Sequence, residues 1–282
     1  MKFSSGHVVA ITGAASGMGR EMALQLAARG VGVAISDVAA EGLEETRQCI
    51  VEAGGRAEAT LVDVADRAAV TAWADATAAA FGAVHGIINN AGVGMGALAA
   101  TVTDADLDWT LGINLRGVIH GTQAFLPHLR RAGEGHIVNI SSVFGLVGIP
   151  AVTPYNVSKF AVRGYNECLA IELAVEGAPI QVTSVHPGGI RTNIARAARM
   201  APDLVGTYMA NHDHGRRGFE KMLATPPEKA AAIILRGVDR DRRRVLIGID
   251  AHVLDWMQRL FPVGYQHVVA RAVRRRNARY QR

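Results

Sequence analysis

The sequence has little cysteine: Cys49 and Cys168 are the only two in 282 residues. Neither stands at metal-ligand spacing or beside a catalytic partner, which excludes a disulfide scaffold and argues against a thiolate metal site. No metal is expected. Two inert thiols indicate a reducing, cytoplasmic setting. Also missing is any apolar run of the ~18 residues from which a membrane-spanning helix would be read. The short apolar run after Met1 passes straight into a turn at Gly13, so it reads as a buried strand and not as a signal peptide. No linker, repeat or low-complexity stretch interrupts the chain, which suggests one domain. Net positive charge is absent from most of the length. Twelve Arg and four Asp between Arg236 and Arg282 give that segment +8, so an overall +5 leaves −3 for the first 235 residues. The basic character is terminal, and no nucleic-acid partner is expected of the main body.

What is present is regular. Apolar residues make up 49% and charged residues 20%, ordinary for a compact domain. Short apolar runs at 7–12, 31–36, 57–62, 84–89, 136–141, 180–185 and 244–248 alternate with helix-like segments near 20–29, 40–53, 67–81, 104–131, 153–176 and 227–238. Near-continuous apolar strands alternating with helices predict a parallel sheet covered on both faces. Residues 193–224 show no clear periodicity and read as a lid.

The chemistry concentrates on Tyr155 and Lys159, with Ser142 thirteen residues before the tyrosine. Positions four apart share a helix face, so the spacing sets a phenol beside an ammonium. A free tyrosine titrates near ~10, and a nearby cation favours the phenolate and lowers that value. Such a tyrosine can work as a general acid or base, and Ser142 could bond the oxygen whose charge changes. Upstream, glycines at 13, 17 and 19 lie between a strand and a helix, the kind of turn that brings backbone N–H groups to a pyrophosphate. Asp37 ends the second strand, eighteen positions after Gly19, about where a dinucleotide site places an acid on the adenosine ribose. A carboxylate there repels a 2′-phosphate, and Val38 supplies no cation, which favours NAD over NADP. Arg20, the nearest basic side chain, is expected to be solvated.

Taken together, Thr12-Gly-x-x-x-Gly-x-Gly19, Asn89-Asn-Ala-Gly92, Asn114, Ser142, Tyr155-x-x-x-Lys159 and Pro187-Gly188 resemble the short-chain dehydrogenase/reductase family in order and spacing, over roughly residues 5 to 250. The resemblance implies an α/β, single-domain, Rossmann-like doubly wound sheet of seven parallel strands with helices on both faces. It implies a domain over 1–250, with a substrate lid at 190–225, followed by a basic helical extension over 251–282. It further implies Asn114, Ser142, Tyr155 and Lys159 as the catalytic set. Tyr155 would carry the proton, Lys159 would lower its pKa and bond the nicotinamide ribose, and Ser142 would polarise the substrate oxygen in preference to Ser141. Asn114 would hold a relay water. The cofactor site it implies comprises Gly13, Ser16, Gly17, Met18 and Gly19 along the loop, Asp37 at the ribose, and Asp63 and Val64 at adenine. Asn90, Ala91 and Gly92 would follow behind, with Pro187, Ile190 and Thr192 at the nicotinamide beside Tyr155 and Lys159.

The activity implied is that of an NAD-dependent oxidoreductase interconverting a secondary alcohol and a ketone. The alternatives are an NADP-preferring carbonyl reductase and a non-catalytic, cofactor-binding regulator on the same fold. Residues 93–96 and 143–150 would border the substrate and are apolar, so an uncharged, hydrophobic substrate is expected. A homodimer or homotetramer packed through the helices near 104–131 and 153–176 is usual for the family. The tail departs from it: Leu254, Met257, Leu260 and Phe261 predict a helix against an apolar surface, and residues 265–282 add six Arg. A basic amphipathic helix there could lie on an anionic membrane, making the protein peripheral, or could cap a partner subunit.

Overall fold

The structure, a computed structural model, describes residues 1–194, 196–206, 208, 209, 211, 215, 218, 220 and 223–277. The expected lid over 190–225 therefore lies partly outside the described residues. In chain order the strands are β1 (Val8–Thr12), β2 (Gly32–Asp37), β3 (Ala57–Leu61), β4 (Gly86–Asn89), β5 (Met95–Gly96), β6 (Gly135–Ile140), β7 (Ile180–Pro187), β8 (Arg199–Met200) and β9 (Arg244–Ile247). The α-helices are α1 (Gly17–Ala27), α2 (Ala40–Glu52), α3 (Arg67–Phe81), α4 (Asp104–Leu111), α5 (Gly117–Ala132), α6 (Thr153–Val175), α7 (Pro227–Val238), α8 (Ile249–Leu260) and α9 (Gly264–Asn277).

Strand side chains alternate between faces, and both faces are buried here. From β1, Val9 and Ile11 join a core built with Met22, Leu26, Ile50, Ile234 and Leu235 of the flanking α1, α2 and α7. Ala10 joins the opposite core with Trp73, Phe125, Leu129 and Leu169 of α3, α5 and α6. Among the described residues seven strands form one parallel sheet, in the order β3-β2-β1-β4-β6-β7-β9. The chain winds outward from β1 to β3, then returns to start again at β4 on the other side. That reversal opens a crevice at the C-terminal ends of β1 and β4, where open α/β sheets bind ligands. Helix starts follow local chemistry: the Asp66 carboxylate accepts from the Ala68 and Ala69 N–H groups, and Thr103 Oγ1 accepts from Asp106 N–H.

Two features differ from the sequence expectation. The helix expected over 104–131 is broken by a π turn at Gly112–Arg116. It carries the fully buried Asn114, whose side chain bonds both backbone groups of Val93, a long-range pairing that local periodicity does not encode. The second is a small parallel pairing of β5 with β8, which ties the lid to the loop after β4. The Arg199 guanidinium stacks 3.7 Å from the Trp109 ring centre beside it.

Two buried histidines make the fold sensitive to acid. His136 pairs with Thr183, and His186 bridges Ser184 and the Ser142 carbonyl. Burial pushes both imidazoles down to about 4, against ~6.5 in an unfolded chain. The folded state thus resists protons that the unfolded state accepts. The stabilisation is complete above ~6.5 and is lost as pH falls toward and through ~4, at about 2–3 kcal/mol per histidine. Urea unfolding at pH 7 and near pH 4.5 should show this loss, and His136→Gln should remove part of it. A flat profile over that range would contradict the assignment.

Candidate active site

Two cavities meet at the crevice. The outer groove, of about 600 Å³, is lined by Gly13, Ser16, Gly17, Met18, Asp37, Asp63, Val64, Asn90, Ala91, Gly92 and Thr192. The inner cavity, of about 160 Å³, is lined by Ser142, Tyr155, Lys159, Pro187 and Ile190, and shares Met18, Asn90, Gly92 and Thr192 with the groove. All but two of the residues implied for the catalytic set and the cofactor site border one cavity or the other.

The exceptions are Gly19 and Asn114. Gly19 does not line the groove. A Cβ there would sit 2.1 Å from the Gly13 carbonyl oxygen, so its bare backbone lets α1 begin against the loop. Asn114 stands behind the cavity wall. Its Oδ1 accepts from Val93 N–H at 2.8 Å, and its Nδ2 donates to Val93 O at 2.9 Å and to Ser158 Oγ at 3.2 Å.

At the outer end, Ser16 precedes α1 without capping it through its side chain. The helix N-terminus keeps unsatisfied N–H groups facing the groove side of the loop, which is what a pyrophosphate needs. Asp37 Oδ2 accepts from Ala15 N–H at 2.9 Å, and Oδ1 from Val38 and Ala39 N–H. The carboxylate therefore braces the glycine loop as well as lining the groove. Arg20 is only partly solvated, contrary to expectation: its guanidinium bonds the Ala15 and Gly42 carbonyls, Thr46 and Glu45. Its Nε and Nη2 are held by these partners, which ties the arginine beside α2. The groove's size, its uncapped helix end and its acidic limit fit a dinucleotide.

At the inner end, Tyr155 is partly exposed and lines the cavity together with Ser142. Ser142 Oγ accepts from Phe144 N–H at 3.1 Å. Ser141 is unavailable, its hydroxyl donating to the Lys159 carbonyl at 2.8 Å. Lys159 is buried, with Nζ donating to the Ile140 carbonyl at 3.0 Å and lying 5.6 Å from the Tyr155 ring centre. The titration behaviour corrects the sequence expectation. Burial raises the phenol above its ordinary value, and only the neighbouring Ser142 hydroxyl acts to lower it. Burial also lowers the Lys159 ammonium to about 8. The reason is geometric: the ammonium lies against the ring and a carbonyl, and desolvation of the phenolate dominates.

The sequence reading also missed part of the wall. Asp250 and Leu254 of α8 line the inner cavity, so the pocket expected to lack fixed charge contains a carboxylate from the C-terminal extension. Asp250 Oδ2 accepts from Gly189 N–H at 2.7 Å, and a Cβ on Gly188 would stand 2.2 Å from that oxygen. Glycine at 188 is what lets the carboxylate clamp the turn after β7. Tyr265 of α9 anchors the extension by accepting from Gly148 N–H at 2.9 Å. These contacts join residues about sixty to a hundred and twenty positions apart, and no local spacing signals them. In the groove, Trp109 and Ile113 were likewise not anticipated. Among the described residues no group of three or more His, Cys, Asp or Glu could hold a metal ion.

Comparison with known proteins agrees with this geometry. A family model described as short chain dehydrogenase matches residues 7–203. A putative oxidoreductase, SadH, of Mycobacterium tuberculosis is 41% identical over 274 residues, covering 97% of each chain. Levodione reductase of Leifsonia aquatica is 35% identical over 230 residues, covering 80% of this chain and 85% of its own. A short chain dehydrogenase/reductase from Burkholderia phymatum, solved in complex with NAD, superposes with a TM-score of 0.84 at 30% identity, covering 92% of this chain and 94% of that one. With the doubly wound sheet, the glycine loop and the Ser142–Tyr155–Lys159 cluster in place, this chain belongs to the short-chain dehydrogenase/reductase family of oxidoreductases.

Proposed function

We propose that the protein is an NAD-dependent dehydrogenase or reductase interconverting an uncharged, apolar secondary alcohol and its ketone. The observation that carries this reading is the meeting of Tyr155, Ser142 and Lys159 in one largely apolar cavity, with the Lys159 ammonium 5.6 Å from the Tyr155 ring centre. Bound NAD supplies the hydride chemistry at its nicotinamide ring. The chain's own residues supply position and protons. Tyr155 donates its proton to the ketone oxygen, or receives the proton of the alcohol; Ser142 holds that oxygen within hydrogen-bond reach. Lys159 keeps its charge below about pH 8 and would bond the nicotinamide ribose. Asn114 supports a proton relay from behind: a Cβ on Gly92 would lie 3.2 Å from Asn114 Oδ1 and 3.6 Å from Lys159 Nζ, so Gly92 leaves the space between them open.

NAD is favoured over NADP by Asp37, by the exposed, uncharged Val38 and by the engagement of Arg20 elsewhere. A relative solved with NAD and another named for reducing levodione favour the same cofactor and ketone chemistry. A panel of cyclic and acyclic secondary alcohols, followed by NADH absorbance, tests the reading. Turnover of neutral apolar alcohols is expected, with carboxylated analogues excluded by Asp250. No turnover of any alcohol or ketone with either nicotinamide cofactor would refute it.

Asp250 enters as a positioning residue for the turn that carries Ile190 and Thr192. Hydrogen bonds to charged groups contribute about 1.5–3 kcal/mol, and solvent exposure of Asp250 reduces that toward about 1–2. Asp250→Ala should therefore weaken NAD binding roughly 5- to 30-fold by calorimetry, with Asp250→Asn retaining most of the affinity. Unchanged affinity in Asp250→Ala would remove the role.

A homodimer or homotetramer completes the proposal. Val157, Phe160, Cys168, Ile171 and Val175 form an exposed stripe along α6, with the Arg163–Glu167 pair beside it. Such a stripe, of balanced charge, suits a second copy of itself.

A further inference from the structure

Helix α8 has apolar side chains on both sides. Ala251, Leu254 and Met257 pack inward against the loop after Ser142. Outward stand Ile249, Val253, Trp256 and Leu260, at 84%, 57%, 63% and 62% exposure. Those positions recur at four, three and four residues, one continuous helix face. Phe261 and Val263 extend it past the helix end. A helix facing only water would carry polar residues there.

The flank of this ridge is basic. Ile249 also lines a cleft of about 590 Å³ beside β9, the terminal strand of the sheet, and that cleft is rimmed by Arg236, Arg240, Arg242, Arg244 and Arg259. The acidic groups nearby are engaged. Asp255 is held by Arg244 and Arg259, Asp250 by Gly189 N–H, Asp239 by Arg29, and Asp241 by the N-terminus. Among the described residues no carboxylate pairs with Arg236, Arg240 or Arg242.

We propose that this surface, the outer face of α8 with the arginine cleft, docks on an anionic lipid bilayer. An apolar ridge containing Trp beside a block of positive charge is what interfacial binding requires: shallow burial of the ridge and attraction to lipid phosphates. A second copy is disfavoured by the same charge. A twofold contact sets each patch against itself, so arginine cleft would oppose arginine cleft, unlike the balanced α6 stripe. The docking element differs from the one expected at the sequence level. Tyr265 and Val269 of α9 turn inward, and the exposed ridge belongs to α8. Because α8 also presents Leu254 to the inner cavity, docking would bring the substrate site close to the layer where an apolar alcohol dissolves.

Flotation of the full-length chain tests this, with vesicles of phosphatidylcholine alone or mixed equally with phosphatidylglycerol. The chain should float with the anionic vesicles, remain behind with the neutral ones, and lose at least about tenfold of its partitioning near ~1 M salt, where the screening length falls to ~3 Å. The pairs Trp256→Glu/Leu260→Glu and Arg240→Glu/Arg242→Glu should each abolish flotation while leaving turnover of a water-soluble alcohol intact, which separates failed docking from failed folding. Sedimentation decides the competing occupant. Ile171→Asp should lower the subunit number, and the α8 variants should not. Failure of the native chain to float with anionic vesicles, or a lowered subunit number in the Trp256→Glu/Leu260→Glu chain, would overturn the proposal.

Discussion

Tyr155→Phe is expected to lower kcat by about 10³-fold or more, near the upper end of what a positioned acid or base contributes. Binding of NAD, measured by fluorescence quenching, should change less than about threefold. The substitution removes one oxygen and leaves the ring. The edge-to-face contact with Phe144, at 6.2 Å between centres, and the Lys159 approach to the ring face both survive. What disappears is the hydroxyl and the proton it carries. Ser142 cannot replace it, because a serine hydroxyl is a far weaker acid, and Ser141 is committed to the Lys159 carbonyl. A kcat within threefold of the native chain would mean that the proton travels by another group.

The second large effect concerns Asp37. In Asp37→Ala the preference for NAD over NADP should fall by roughly 30- to 150-fold, equivalent to about 2–3 kcal/mol of repulsion between a carboxylate and a phosphate at close range in partly solvated surroundings. NAD itself should also bind less well, because Asp37 Oδ2 braces Ala15 N–H in the glycine loop. This distinguishes the site from one in which the acid touches only the ligand. Arg20 cannot turn to greet a 2′-phosphate while it holds the Ala15 and Gly42 carbonyls and Glu45. Active use of NADP should therefore need a new cation, as in Asp37→Ala/Val38→Arg. Ratios of kcat/KM for the two cofactors check both variants, and equal use of NAD and NADP by the native chain would defeat the assignment.

The legible parts of the site were those whose partners are near in sequence or set by repeating geometry. Tyr155 and Lys159 are four apart on one helix, and the glycines at 13, 17 and 19 lie in a single turn. Asp37 ends β2 and Ser142 follows β6 by two residues, and the alternation of strands with helices already places both at one edge of a parallel sheet. The less legible parts depended on distant neighbours. The π turn at Gly112–Arg116 comes with Asn114 bonding Val93, twenty-one residues away. The pairing of β5 with β8 joins Met95 to Arg199. Arg20 looked solvated because its four partners, from Ala15 to Thr46, converge only when α1 and α2 pack. The upward push on the Tyr155 phenol was hidden for the same reason: the neighbouring cation was visible in the spacing, but the burial that raises the phenol was not.

The sequence by itself determined the sheet, the glycine loop and the side chains proposed to react, because hydrophobic period, turn chemistry and one-turn helix spacing are local properties of the chain. Only the tertiary structure decided that α8 of the basic extension closes the substrate wall through Asp250 and Leu254 while its other face stays bare and flanked by arginine. Burial, desolvation and the meeting of residues sixty or more positions apart are properties of the packed molecule, and no stretch of residues carries them alone.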